Sequence, residues 1–147
     1  MNLLTGEYNN SIDEKGRVAF PTKLKNAISG NSVIVTKGLE HCLWLFTIEE
    51  WEKFQTKLMS NSSMMKSRTS NVIRHFIGPA QEIEFDKSGR LSIPQSLRDY
   101  AKLTKDCTVL GIAKYMELWD LDSYNEFQAE TEDSFREAAE EFNDINF

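Results

Sequence analysis

The chain has 147 residues, and its 17 Lys and Arg against 23 Asp and Glu give a formal net charge of −6 and a sequence pI near 5.0. Hydrophobic residues make up 40% and aromatics 11%, enough for a packed core, so wholesale disorder is excluded; no run approaches the ~18 apolar residues of a membrane span. Two cysteines, Cys42 and Cys107, are too few for a disulfide framework, Met1 to Thr5 lacks the features of a signal peptide, and a reducing cytoplasm is the expected compartment.

Taken from the N-terminus, Gly6 to Ile12 reads as a short extended segment with Tyr8 and Ile12 on one side. It runs into Asp13-Glu14-Lys15-Gly16-Arg17, where Gly16 supplies a positive φ at low cost and closes a tight turn. Val18-Ala19-Phe20 returns as a strand of alternating faces. Pro21 fits the first position of a helix, and Leu24 and Ile28 share its apolar face. Ser32–Thr36 and Cys42–Phe46 read as strands. Thr47, with Glu50 three residues on, opens a capping box for a helix through Trp51 and Phe54. Residues 61–78 start polar, then put Met65, Val72 and Phe76 on one helical face with Arg68 and Arg74 elsewhere, and stop at Gly78-Pro79: a connecting helix.

The pattern then begins again. Ala80–Phe85 is extended, Asp86-Lys87-Ser88-Gly89-Arg90 turns, Leu91-Ser92-Ile93 returns, and Pro94 opens a helix over Gln95–Leu103. Cys107–Ile112 and Met116–Trp119 are strands, and Asp120 caps a helix through Tyr124 and Phe127. The recurrence has a constant offset of 73 residues: Asp13, Gly16, Arg17, Pro21 and Leu24 match Asp86, Gly89, Arg90, Pro94 and Leu97, and Leu45, Trp51 and Phe54 match Leu118, Tyr124 and Phe127. The chain is therefore read as a first repeat (1–60), a connecting helix (61–78), a second repeat (79–127) and an acidic tail (128–147). Each repeat is β-turn-β-α-β-β-α. A unit of about 60 residues is marginal alone, so the expected architecture is α+β, with the two repeats sharing one pseudo-two-fold barrel flanked by helices, which also removes exposed strand edges.

The D-x-x-G-R turn followed by a short strand and P-x-x-L-[KR], present twice, resembles the MraZ family; Gly6-Glu7-Tyr8 and Leu97-Arg98-Asp99-Tyr100-Ala101 strengthen the likeness, which covers residues 6–127. A single copy of the turn is also similar to AbrB-like proteins. The resemblance implies a swapped-hairpin (double-split) barrel, ring-shaped homo-oligomers, and a nucleoid-associated transcriptional regulator, a repressor acting at repeated promoter sites of its own cell-division and cell-wall operon. Two positions depart mildly from the family pattern: Lys25 stands where Arg is favoured and Asn10 where His is common.

Residues 117–147 hold 11 acids and one base, Arg136, whereas residues 1–116 hold 16 bases and 12 acids. The body is thus +4 and the tail −10, with the body's bases expected at the two turns. Lys15, Arg17, Lys87 and Arg90 are the candidate contacts to double-stranded DNA: a two-stranded ribbon fits the major groove, Arg can bind guanine bidentately, and Lys suits phosphate. Asp13, Gly16, Asp86 and Gly89 are assigned to shaping the turns; the competing reading is that Arg17 and Arg90 only pair with those aspartates. Lys25 and Arg98 are assigned to the turn–helix junction or to protomer contacts. Asp13 and Asp86 as an acid/base pair would each be occupied by its own Arg, and no triad or phosphate-cradling loop is present, so no enzyme is expected. No cofactor is expected either, and with His41 beside Cys42, Cys107 isolated and no C-x-x-C, no metal site. In the tail, Tyr124, Phe127, Phe135, Ala138 and Phe142 share a helical stripe that packs on its own barrel, on a neighbour or on a partner, or forms an acidic arm competing with DNA; at Glu130-Thr131-Glu132-Asp133 a loop competes with the helix. The second functional reading is a DNA-independent, antitoxin-type interaction module.

Overall fold

The computed structural model describes residues 4–60 and 67–146; the part of the expected connecting helix over 61–66 lies outside them. In chain order the elements are β1 (Thr5–Ser11), β2 (Arg17–Ala19), α1 (Thr22–Ala27), β3 (Ser32–Lys37), β4 (Leu43–Phe46), α2 (Ile48–Ser60), α3 (Ser67–Phe76), β5 (Gln81–Glu84), β6 (Arg90–Ser92), α4 (Gln95–Ala101), β7 (Asp106–Ile112), β8 (Met116–Asp120) and α5 (Leu121–Glu140). Both repeats thus fold as β-turn-β-α-β-β-α.

The strands pair across the repeats. β1 lies antiparallel to β7 and β5 to β3, so each repeat's first strand completes the sheet of the other. With β4 against β8 at the centre, the result is a six-stranded antiparallel sheet ordered β1-β7-β8-β4-β3-β5. β2 and β6 form a separate two-stranded ribbon, again one strand from each repeat. No closed barrel is formed among the described residues: the large sheet ends at β1 and β5. Each ribbon strand has three residues and runs one residue later into a proline, Pro21 or Pro94, which has no N–H to extend a ladder. One isolated bridge, Ile12 to Val18, links the first turn's two sides, supported by the Asn10 amide donating to the Ala19 carbonyl.

Alternation along the strands sorts side chains into two layers. Val33, Val35, Leu43, Leu45, Cys107, Val109, Met116 and Leu118 face one side, where Val18, Leu24, Leu91 and Leu97 from the ribbon and short helices close over them. Because both repeats supply this core, and each buried aliphatic side chain contributes about 1.5–3 kcal/mol, neither repeat retains it alone. On the other side, Phe46 and Trp51 pack with Trp44, Phe54 and Tyr115 beneath α2, and Trp119 with Tyr124 and Phe127 beneath α5. Helix α3 is tied to this layer where Thr36 Oγ1 donates to the Phe76 carbonyl at 2.5 Å and the His75 ring meets the Gly38 carbonyl at 2.8 Å.

The repeat is not uniform. The offset of 73 holds at the turns and at β4/β8, but the inward-facing Val33 and Val35 correspond to Cys107 and Val109, an offset of 74. The extra residue falls after α4, where Lys102 takes a left-handed conformation (φ 54°) that ends the helix before the expected Leu103. Helix α5 runs unbroken through Glu130–Asp133, with the Thr131 hydroxyl donating to the Phe127 carbonyl at 2.7 Å; no loop forms there. Its cap is the expected one, Asp120 accepting from the Ser123 N–H, and Thr47 accepts from the Glu50 N–H before α2.

Candidate nucleic-acid interface

Each turn is built around its aspartate. Asp13 Oδ1 accepts from the backbone N–H groups of Lys15 (3.0 Å) and Arg17 (2.9 Å), and Oδ2 accepts from Arg17 Nε (2.7 Å). Asp86 repeats this with Ser88 N–H, Arg90 N–H and Arg90 Nε, each at 2.9 Å. Gly16 (φ 81°) and Gly89 (φ 75°) take the left-handed position each turn requires. The backbone N–H of Arg17 on Asp13, and that of Arg90 on Asp86, are the main reason both carboxyls sit below their ordinary 3.8.

Each arginine holds its own aspartate through Nε, which leaves its terminal nitrogens at the outer end of the guanidinium. In the β2–β6 ribbon Val18 and Leu91 point into the core, leaving Arg17, Ala19, Arg90 and Ser92 on the outward face, in cross-strand pairs Arg17–Ser92 and Ala19–Arg90. The two arginines therefore share one surface between two small side chains, and Arg90 Nη1 also comes within 3.9 Å of Asp13 Oδ2. Their side chains are 29% and 33% exposed, Arg17 and Arg90 respectively. Instead of two separate hairpin tips, the turns flank a single composite patch. Ala19 and Ser92 were not singled out in the sequence; their place follows once the ribbon partner is known.

The other basic residues divide. Lys15 and Lys87 are exposed on the turns but occupy non-equivalent positions, since the repeat aligns Lys15 with Ser88 and Lys87 with Glu14. Arg98 and Lys25 brace the turns of the opposite repeat. Arg98 Nε donates to the Ile93 carbonyl at 2.9 Å, and its guanidinium lies so close over Gly16 that a Cβ there would sit 2.6 Å from Cζ. Lys25 Nζ sits 5.3 Å from the Phe85 ring centroid, with its methylenes 3.7 Å from a Cβ built at Gly89.

The body's positive charge gathers in more than one place. Residues 13–17 balance two acids with two bases, residues 86–90 have one acid and two bases, and residues 53–76 hold five bases and no acid. Residues 15–37, which begin in the first turn, likewise hold five bases and no acid, whereas residues 53–76 span the end of α2 and all of α3, outside the turns.

Among the described residues Glu40, Cys42 and Glu117 bring their ligand atoms within 4.8 Å of one another. Glu117 already accepts from two indoles, Trp44 Nε1 at 3.2 Å and Trp119 Nε1 at 3.0 Å, and burial pushes its carboxyl up. Burial likewise pushes the Cys42 thiol far up and that of Cys107 up to about 12, away from the reactive thiolate. Glu117, through its two indole partners, ties the outer aromatic layer across the junction of the repeats.

The family model described as the MraZ protein matches residues 3–72 and again 76–146. A protein of Treponema denticola named "Transcriptional regulator MraZ" is 48% identical over 144 residues, covering 98% of this chain and 100% of that protein. A protein of the same name from Treponema pallidum is 40% identical over 144 residues, covering 98% of this chain and 97% of its own length.

Proposed function

The chain belongs to the MraZ family, and from that premise we propose that it is a transcriptional regulator that binds double-stranded DNA through the outward face of the β2–β6 ribbon. Arg17 and Arg90 read base edges with their terminal nitrogens, while Lys15 and Lys87 engage phosphates on either side. Asp13 and Asp86, with Gly16 and Gly89, hold the turns and pre-orient the guanidiniums. The observation that carries this reading is the pair of clamped arginines side by side on one small-residue surface.

One such patch per protomer is a modest footprint. The reading therefore includes a homo-oligomeric ring of swapped-hairpin protomers on repeated promoter sites in the cytoplasm, acting as a repressor of a cell-division and cell-wall operon. Linked sites raise avidity by about 10²–10⁴ over a single contact. No helix among the described residues is long and apolar enough to cross a membrane.

The test is a titration of the DNA upstream of the operon at several salt concentrations. Arg17→Ala and Arg90→Ala are each expected to weaken specific binding about 10–100-fold and to bring it toward the affinity for unrelated DNA. Lys15→Ala and Lys87→Ala are expected to weaken both DNAs alike and to lower the salt slope by about 0.9 per phosphate contact in each protomer engaged. Undiminished specific binding by the Arg17→Ala/Arg90→Ala double variant, with its oligomer intact, rejects the site.

A further inference from the structure

Helices α2 and α3 lie side by side and leave between them a groove of about 410 Å³ lined by Phe54, Leu58, Val72 and Ile73, with Lys57 and Arg68 at its rim. Val72 is 44% exposed there. Residues 53–76, which include these two cations, hold five bases and no acid. Phosphate would favour the cations but gain nothing from the apolar floor; an acidic amphipathic helix matches both.

The same molecule carries such a helix. The first turns of α5 are spent on the core, the Tyr124 and Phe127 rings packing at a tilt against Trp119 with centroids 5.3 and 5.1 Å away. Beyond Phe127 the stripe continues through Thr131, Phe135 and Ala138, and Phe135 is 66% exposed, with Ile145 beside it 52% exposed. Residues 128–147 carry seven acids and one base. The repeats differ at this point. In the first, α3 returns over α2, with Phe54 and Phe76 in edge contact at 5.5 Å; among the described residues no helix takes that place on α5.

We propose that the α2–α3 groove of one protomer receives the distal half of α5 from a second copy of this chain, Phe135 entering the apolar floor and the flanking carboxylates facing Lys57 and Arg68. The groove belongs to the first repeat and the arm to the second, so the contact is heterologous. Each docked copy still has one unused groove or arm, and successive contacts build a ring or an open chain. The inference rests on the oligomeric reading given above and names its interface.

The experiment measures mass by light scattering at micromolar concentration. Wild type is expected to assemble, and Val72→Glu (groove) and Phe135→Glu (arm), both at exposed positions, are each expected to run as folded monomers. Mixed one to one, they should form a heterodimer and nothing larger, since a single sound groove and a single sound arm remain. Arg68→Glu serves as a second groove variant should Val72→Glu lose its circular-dichroism signature. A monomeric wild type overturns the oligomeric reading itself. An assembled wild type whose variants assemble equally well overturns only the docking, as does a Val72→Glu protein that keeps its assembly but loses DNA. A mixture that stays monomeric, or that regains the full assembly, overturns the head-to-tail arrangement.

Discussion

Gly16 and Gly89 occupy equivalent turns with nearly the same φ, 81° and 75°, yet replacing them with alanine should have unequal consequences. An L-residue in the left-handed region costs about 1–2 kcal/mol, offset by about 0.4–1 kcal/mol from the stiffer unfolded chain. At Gly89 little else changes, because the nearest atoms to a new Cβ are Lys25 methylenes at 3.7 Å. At Gly16 the Cβ would stand 2.6 Å from Arg98 Cζ, and the guanidinium must move away from the Ile93 carbonyl that it holds at 2.9 Å. Losing that charged hydrogen bond adds about 1.5–3 kcal/mol. Gly89→Ala is thus expected to cost about 1 kcal/mol and Gly16→Ala about 2–4 kcal/mol. For a chain of this size each kcal/mol lowers the melting temperature by about 2–4 °C. Urea and thermal unfolding at matched protomer concentration measure both, since assembly would otherwise shift the midpoints. The cause is isolated by repeating Gly16→Ala in an Arg98→Ala background, where its excess over Gly89→Ala should disappear. Equal costs in the parent protein, or an excess that survives removal of Arg98, would refute the reasoning.

Ala19 and Ser92 flank the two arginines on the ribbon's outward face, so Ala19→Glu or Ser92→Glu is expected to reduce specific DNA binding at least tenfold while the unfolding midpoint stays within about 0.5 kcal/mol of the parent; a gel shift beside a melt decides it, and undiminished binding would show that this face does not meet DNA. Asp13 and Asp86 have carboxyls lowered from 3.8, chiefly by the N–H groups of Arg17 and Arg90. Their stabilisation is therefore present above 3.8 and is lost as pH falls through the folded values; the urea midpoint of Asp13→Asn/Asp86→Asn should lie below the parent's near neutrality and vary less with pH across that acid range, and parallel curves would refute it.

The two turns were legible in the sequence because their chemistry is local. Asp13 and Asp86 reach backbone N–H groups two and four residues on, and Gly16 and Gly89 answer a backbone need at a single position. Which strand pairs with which was not legible at that level. Val18 alternates with its neighbours in the same way whether its partner is in its own repeat or the other, and pairing with Leu91 depends on packing at a distance. Pro21 and Pro94, visible in the sequence, stand just after the two short ribbon strands, whereas the open edges of the large sheet are β1 and β5. The Glu130–Asp133 run suggested a break, but glutamates are good helix formers, and in α5 their side chains are exposed and need no internal partner. The one-residue shift from an offset of 73 to 74 leaves no motif at all and appears only in which side chains reach the core.

Net charge separates two tasks in this chain. At the turns each arginine is matched by an aspartate that holds Nε, so the patch is poor in net charge but fixed in geometry, an arrangement suited to reading bases more than to attracting phosphate. Local net charge of opposite sign lies elsewhere, in residues 53–76 and in residues 128–147. If those two surfaces meet between protomers, they neutralise each other, and the acidic arm is drawn away from the DNA-facing ribbon as the assembly forms. A monomer would then present both a free acidic arm and a single weak patch, whereas an assembly presents a row of patches with the arms engaged. Assembly and DNA affinity would on this view rise together, and raising salt would weaken both, because each depends on contacts between exposed charges.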